Sequence, residues 1–301
     1  MAISTPAFAT ARGGSALPKR GSGPYAGAWR RFHRHVPAMI GLFVLIGLGL
    51  AALAAPLLTS YDPVRQQLPQ ALRAPSFAHP LGTDHLGRDL LARLLYGGRL
   101  SLIIGFFAVG LGLAVGLPLG AVSGYYGGWI DLLVQRLADL LLSFPSFLLA
   151  LSLAAMLGVG LQNVVISVGI IAIPSFIRLV RATVLSIRSQ AFVEAARCIG
   201  VSDRVIIFRH VLANSMVPVI VQASLNLGSA ILTAAGLGFL GLGVQPPAPE
   251  WGSMLGEARS YIFSSTYLPT FPGLAIFSAV LAFNLVGDGL RDALDPRQRN
   301  A

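Results

Sequence analysis

Two stretches of more than twenty residues without a single charge constrain this chain more than any other feature: residues 36–58 and 100–121. Each is long enough to cross the hydrocarbon of a bilayer as a helix, which takes about 20 apolar residues. Four further apolar runs follow. The predicted spans cover residues 36–58, 100–121, 140–159, 161–179, 215–235 and 272–286. The sequence therefore predicts an all-α membrane protein with about six transmembrane helices.

The composition agrees with this prediction. Hydrophobic residues make up 54% of the chain and charged residues only 11%, and the mean hydropathy is +0.72. Soluble domains usually carry about 25% charged residues. A soluble globular fold is therefore disfavoured from composition alone.

The net charge of +10 comes almost wholly from arginine, since Lys19 is the single lysine. With the N-terminus inside, 16 of the 22 basic residues lie on the cytoplasmic side and six in the long outside loops. Basic residues concentrate on the cytoplasmic side of membrane proteins. We therefore expect both termini in the cytoplasm, and the charge requires no nucleic acid as a partner.

The spans divide the chain into five regions. In order, these are a cytoplasmic and disordered tail at 1–35, the first transmembrane helix at 36–58, a periplasmic loop at 59–99, a core domain with five transmembrane helices at 100–290, and a cytoplasmic tail at 291–301. Arg30 and Arg31 imitate a twin-arginine signal, but the apolar stretch after them is longer than the roughly 7–15 residues of a signal peptide. We therefore expect this stretch to remain as a transmembrane helix.

The periplasmic loop ends in leucines spaced to line one helix face, at positions 90, 91, 94 and 95. This pattern predicts an interfacial amphipathic helix that leads into the second span. Thr83 or Asp84 is a suitable N-cap for it.

Residues 188–213, between the fourth and fifth spans, have mixed polarity. Residues 191–198 are good helix formers, and Gly200 after them suits a C-terminal cap. A second helix is expected to start at residues 202–203. Such a helix–turn–helix is too polar to cross a membrane and too apolar for a free linker. We therefore expect it to dock onto another surface.

Motifs for nucleotide or metal chemistry are missing from the sequence. No G-x-x-x-x-G-K-[ST] phosphate loop occurs. Residues 236–241 match the G-x-G-x-x-G dinucleotide pattern, but they follow a predicted membrane helix and not a strand, so we interpret them as a turn or a packing surface. The five histidines lack metal-ligand spacing. Cys198, the single cysteine, excludes an internal disulfide and is expected to be a small buried residue.

Charged residues also occur just before the third span. Arg136 and Asp139 are three residues apart, which allows them to pair on one helix face. We favour this structural pairing over a functional role for Asp131, Arg136 or Asp139.

Several motifs resemble one family. Glu194-Ala195-Ala196, then Gly200, then Val211-Leu212 is similar to the EAA loop of ABC-importer permeases, although Ala213 stands where the family usually has proline. Four further segments resemble the C-type subunit of the dipeptide, oligopeptide and nickel permeases. They are residues 79–89, 143–145, 239–252 and 287–296. Residues 234–238 depart from the Glu-Ala-Ala-Leu-Ser of that family.

This resemblance implies a type I ABC-importer permease fold in a bacterial inner membrane, with a cytoplasmic EAA coupling helix. It implies a heterodimer with a second permease subunit, two ABC ATPase subunits that bind ATP and magnesium, and a solute-binding protein outside. This chain would be non-catalytic and hold no cofactor. Di- or oligopeptides are the expected cargo. Coupling to the ATPase is assigned to Glu194, Ala195, Ala196, Gly200, Val211 and Leu212, and the substrate-contacting residues are left open.

Other functions are weighed against this one. The same transporter class could carry nickel, glutathione or an antimicrobial peptide, and the sequence does not separate these cargoes. A secondary carrier driven by an ion gradient needs ionisable residues at mid-membrane depth, and the predicted spans have almost none. A membrane-embedded enzyme needs paired carboxylates, a nucleophile with its base or a metal cluster, and the spans show none of these.

Overall fold

The computed structural model describes residues 24–294, and within that range the chain is helical with connecting loops and has no β-strand. Twelve α-helices follow one another within residues 24–294. They are α1 (Pro24–Arg34), α2 (Val36–Leu53), α3 (Ala55–Leu58), α4 (Leu90–Tyr126), α5 (Gly128–Leu142), α6 (Ser146–Leu157), α7 (Leu161–Arg188), α8 (Ala191–Cys198), α9 (Asp203–Val205), α10 (Ala213–Phe239), α11 (Trp251–Ala258) and α12 (Tyr267–Leu294). A π-helix, Ile206–Leu212, joins α9 to α10.

In the part of the chain that the structure describes, five helical segments are long and apolar enough to cross a membrane: α2, α4, α7, the continuous segment 203–239, and α12. Helices α5 and α6 count together as a sixth candidate, bent by 88°. The predicted all-α membrane fold is therefore confirmed, with five spans or six.

The prediction of one continuous helix for the third span, residues 140–159, is wrong. The structure has two helices there instead of one, broken between Leu142 and Ser146. Pro145 lies in the break, and proline both lacks an N–H for the helix ladder and restricts the residue before it. Hydropathy alone therefore does not reveal this break, because it takes no account of the backbone restriction at proline.

Other predicted ends also need correction. Residues 24–34 of the predicted disordered tail form α1, whereas residues 1–23 lie outside the described residues. The first span is interrupted at Ala54, because Pro56 lies in the first turn of the short helix α3. Helix α12 continues to Leu294, so the predicted tail at 291–301 begins as helix, and residues 295–301 lie outside the described range.

The predicted interfacial helix is the beginning of α4, which runs for 37 residues without a break. Its N-cap is Asp89, whose carboxylate accepts a hydrogen bond from the backbone N–H of Ala92 at 2.7 Å. The expected caps, Thr83 and Asp84, are buried in the preceding loop instead. The helix therefore starts inside the folded loop and enters the membrane directly.

Helices α4 and α7 approach each other most closely along a row of glycines on α4. The row has one glycine every fourth residue: Gly112, Gly116, Gly120 and Gly124. A Cβ placed on Gly116 would lie 2.6 Å from the Cβ of Phe176 on α7. Small residues at this spacing let helix backbones pack closely where no hydrophobic effect drives association. The α4–α7 pair thus forms the centre of the helical bundle.

A buried ion network fixes the loop before α4 to α11. We use this name for Asp84, Arg88, Arg93 and Glu257. The Arg88 guanidinium contacts Asp84 and lies 2.7 Å from the Glu257 carboxylate, and Arg93 lies 3.3 Å from the same carboxylate. Arg88 and Arg93 are each only 1% exposed. Removing one member of such a network leaves an uncompensated buried charge.

The glycine row predicts a difference between two substitutions on the same helix. Gly116→Val should lower stability by about 1–3 kcal/mol or prevent folding, because the side chain has no room against α7. Gly110→Val is the control, because a Cβ at Gly110 meets nothing within 4 Å. Thermal unfolding of the purified protein in detergent measures both. Equal losses in the two variants would contradict the packing described for α4 and α7.

The ion network predicts that Arg88→Met is strongly destabilising, by about 3–5 kcal/mol, since the two carboxylates, Asp84 and Glu257, then share Arg93 as their one remaining cationic partner in the network. Arg65→Met is the matched control, because Arg65 is exposed in the same loop. Limited proteolysis of residues 59–89 reports whether the loop detaches. A loop that resists protease equally in both variants would show that the network does not hold it.

Candidate functional site: the loop of residues 188–213

The first helix of this loop, α8, ends at a left-handed glycine. Gly200 has φ +79°, and its N–H donates to the Arg197 carbonyl at 3.0 Å. The N–H of Val201 donates to the Ala196 carbonyl at 3.1 Å. These two bonds form a Schellman motif, which satisfies the last carbonyls of the helix. The expected C-terminal cap at Gly200 is thus present.

The second helix of the loop continues into α10. It begins after Ser202 and passes through the π-helix Ile206–Leu212. Ala213, which stands where the resembling family usually has proline, has helical backbone angles of φ −56° and ψ −38°. The ladder therefore continues from the loop to Phe239 as one segment, so a displacement of the loop would be transmitted directly to α10.

One side of the loop packs into the protein. Val193, Ala196, Val211 and Leu212 are buried in a cluster with Val184 of α7. Three of the six predicted site residues, Ala196, Val211 and Leu212, therefore belong to this inner side. Their small or branched side chains hold the two loop helices against the end of the bundle.

Polar contacts fix the loop to the end of α4. The Tyr125 hydroxyl donates to Asp203 at 2.6 Å, and the Arg197 guanidinium lies 5.0 Å above the Tyr125 ring. Arg188 donates to the carbonyls of Gly124 and Tyr125, at 2.9 and 3.1 Å. The sequence analysis missed these contacts, because the two residues in each contact lie more than 60 positions apart in the chain.

The predicted pairing of Arg136 with Asp139 is wrong. Asp139 pairs with Arg178 of α7 at 2.7 Å. Asp131 accepts two hydrogen bonds from Arg181, both at 2.6 Å. Arginines on the neighbouring helix α7 thus replace the expected partner on α5, and they connect α5 to the helix that leads into the loop.

The other side of the loop is exposed and carries large apolar side chains. Ile199 is 80% exposed and Phe208 is 69% exposed. Phe192 and Val205 are exposed to a lesser degree. We call these four residues the exposed apolar set. The sequence analysis predicted from the mixed polarity of this segment that it docks onto another surface, but it did not identify these four residues as the exposed ones.

The remaining predicted site residues share this exposed side. Glu194, Ala195 and Gly200 are all exposed. The expectation of a buried Cys198 is wrong, because the thiol is exposed in α8. The loop therefore has a packed inner side and an outer side on which large apolar and small residues lie among charged ones, Glu194 included.

One group of side chains in the described residues has the spacing of a metal site. Oxygen and nitrogen atoms of Asp84, His85 and Glu257 lie within 4.8 Å of one another. Both carboxylates belong to the buried ion network, where Arg88 and Arg93 already neutralise them. The chemistry of this group is therefore that of a structural ion pair.

Two family models match the sequence. The binding-protein-dependent transport system inner membrane component matches residues 116–300, and the N-terminal transmembrane domain of oligopeptide transport permease C matches residues 23–75. The first match includes the whole 188–213 loop. The second covers α1 to α3.

Two curated relatives align along most of the chain. The dipeptide transport system permease protein DppC of Alkalihalophilus pseudofirmus is 48% identical over 92% of this chain and 91% of its own length. The glutathione transport system permease protein GsiD of Pectobacterium atrosepticum is 47% identical over 92% of each chain.

A solved structure has the same fold. A chain of the MetNI methionine ABC transporter, in an inward-facing conformation, superposes with a TM-score of 0.55 at 20% identity. The match covers 67% of this chain and 96% of that one. The chain therefore belongs to the family of binding-protein-dependent transport system inner membrane components, and it is a multi-pass permease subunit of an ABC importer.

Proposed function

We propose that this permease imports di- or oligopeptides and that ATP hydrolysis in partner subunits drives the transport. The observation that carries the proposal is the 188–213 loop, which packs its inner side against the protein and exposes large apolar side chains on its outer side, within a chain 48% identical to a dipeptide permease. A surface of this kind in water is unfavourable unless a partner covers it.

The ATPase is the partner that we assign to this loop. Ile199 and Phe208 of the exposed apolar set provide area to bury, and Ala195 and Gly200 let another surface approach closely. Glu194 would contribute a charge at the edge of the contact. Ala196, Val211 and Leu212 act from below by holding the loop to α7. Since the loop continues into α10, movement of the ATPase would move a membrane helix.

The proposal extends to the rest of the assembly. Two ABC ATPase subunits bind ATP and magnesium, so this chain is non-catalytic and holds no cofactor. A second permease subunit completes a heterodimer in the lipid, and a solute-binding protein delivers cargo from the periplasmic side. The chain lies in a bacterial inner membrane with both termini in the cytoplasm, as the distribution of basic residues favours.

Glutathione is a second candidate cargo. The glutathione permease GsiD is 47% identical, almost as similar as the dipeptide permease. Glutathione is itself a tripeptide, so both cargoes present amide groups and carboxylates to a pathway. The family resemblance implies that the solute-binding protein, more than this chain, sets the choice between them.

Uptake in cells lacking this gene, with and without a wild-type copy, tests the cargo. We expect labelled dipeptide or oligopeptide uptake to be lost with the gene, restored by the copy and abolished by ATP depletion. Glutathione and nickel are measured in parallel. Uptake that survives ATP depletion but collapses with the proton gradient would contradict the ABC-importer proposal and favour a secondary carrier.

The role of the loop is tested by Gly200→Val. Valine at φ +79° is strained by about 1–3 kcal/mol, so the turn between α8 and α9 should change shape and the ATPase should no longer bind. Gly241→Val is the matched control, because Gly241 has φ +82° and equally open surroundings outside the loop. Co-purification of the ATPase and peptide uptake are measured for both.

A third variant, Ile199→Ser, changes the docking surface without backbone strain, since Ile199 is exposed. It should reduce ATPase co-purification while the permease stays folded. Full ATPase binding and normal uptake in both Gly200→Val and Ile199→Ser would show that the loop is not the coupling site.

A further inference from the structure

Helix α10 carries uncharged polar side chains along one face. Gln222, Asn226, Ser229 and Thr233 follow at intervals of four, three and four residues. At about 100° per residue, these intervals place all four within an arc of roughly 60°. We call these four residues the polar stripe. It occupies the middle of a segment that is apolar enough to span a membrane.

The rest of the chain leaves this face partly uncovered. Ser229 is exposed, and Gln222, Asn226 and Thr233 are half-buried. Helices α7 and α12 flank it. The Asn226 amide donates to the Ser175 hydroxyl of α7 at 3.1 Å, and the exposed Asn284 of α12 lies beside Gly228. The stripe therefore lies in a groove between α7 and α12, and the Ser175 hydroxyl of α7 contacts it directly.

A cavity of about 620 Å³ opens into this groove near its end at the 188–213 loop. Leu179 of α7 lies on one side and Arg291 of α12 on the other. Between them, α10 contributes Pro218, Gln222 and Leu225. Gln222 belongs to both the cavity and the polar stripe, so the two are continuous.

The exposed surface of another candidate membrane helix has a different character. Helix α2, which is largely uncovered, exposes apolar side chains such as Phe43, at 79%, and Leu50, at 61%. Four polar residues in the same hydrocarbon would be costly, because lipid offers no hydrogen bonds. The stripe is therefore unsuited to face lipid.

Hydrogen bonds within the protein satisfy only some of the donors and acceptors of the polar stripe. Gln222 donates to Asn226 at 3.0 Å, and Thr233 donates to the Ser229 carbonyl at 2.8 Å. Within residues 24–294, no hydrogen bond involves the Gln222 side-chain oxygen or the Ser229 hydroxyl. These groups can bind water or a passing solute.

We propose that the polar stripe lines the translocation pathway and hydrogen-bonds the main-chain amides of the cargo, an inference that rests on the proposed function. Amides and hydroxyls both donate and accept, so they match peptide groups, and the absence of charge from the stripe avoids selecting cargo by its side chains. Successive stripe residues rise about 4.5–6 Å along the helix, close to the roughly 6.6 Å between alternate residues of an extended peptide.

Cysteine accessibility tests the proposal in the assembled transporter. Ser229→Cys and Thr233→Cys are exposed to a membrane-impermeant maleimide, and labelling at each position is read by mass spectrometry. Phe43→Cys is the control, because Ser229 and Phe43 each lie ten residues before the ends of their helices, Phe239 and Leu53. We expect labelling on the stripe at least about ten times faster than at Phe43, since water is absent from hydrocarbon. Saturating dipeptide should slow it.

Transport kinetics give a second readout. Thr233→Val and Gln222→Leu should each raise the KM for peptide by roughly two- to tenfold, the size expected for one lost hydrogen bond, without weakening ATPase co-purification.

The outcomes separate the two proposals. The stripe is not a pathway surface if its cysteines react no faster than Phe43→Cys. The same conclusion follows if a bifunctional reagent cross-links these cysteines to a helix of the partner permease and peptide uptake stays normal. A wild-type transporter that imports no peptide would overturn the proposed function instead.

Discussion

The absence of water from the bilayer is the constraint on which the rest of this structure depends. Every backbone N–H and C=O in hydrocarbon needs a partner within the protein, so the chain crosses as helices. Since hydrocarbon is as apolar as leucine, the helices are held together by close contact, which the glycine row of α4 permits against α7. The same constraint makes each uncharged polar group within a span informative, because it is stable only where a partner or water reaches it.

Polar interactions concentrate at the two ends of this bundle. At one end, the buried ion network attaches the loop of residues 59–89 to α11. At the other end, arginines make the connections between helices. Those of α7 bind Asp131 of α5 and the last carbonyls of α4, and Arg197 of α8 stacks on Tyr125 of α4. The 188–213 loop is thus fixed to the helices above it on one side and free on the other. A rigid element with one free surface is what coupling to a moving partner requires.

Much of the fold could be predicted from sequence. The long apolar runs located five of the membrane-spanning helices and their order, and Gly200 predicted the turn between α8 and α9. These features depend on short windows of sequence, in which composition and a single glycine determine local structure.

The errors came from contacts between distant residues. Asp89 is the cap of α4 because Thr83 and Asp84 are used inside the loop fold. Asp131 and Asp139 found partners on α7, about 40 to 50 positions away. Ile199 and Phe208 could not be identified as exposed until the packing of the loop was known. The helices and the turn of the 188–213 loop were therefore predictable, whereas the division of the proposed coupling residues between an inner and an outer side required the structure.

The most direct measurement uses the chain's single cysteine, Cys198, which is exposed in α8. A short photo-reactive maleimide attached to Cys198 of the permease before the ATPase subunits are added should cross-link this chain to an ATPase subunit when the reassembled transporter is illuminated. Cross-links that reach only lipid, the second permease or the solute-binding protein would contradict the central claim that this loop receives the ATPase.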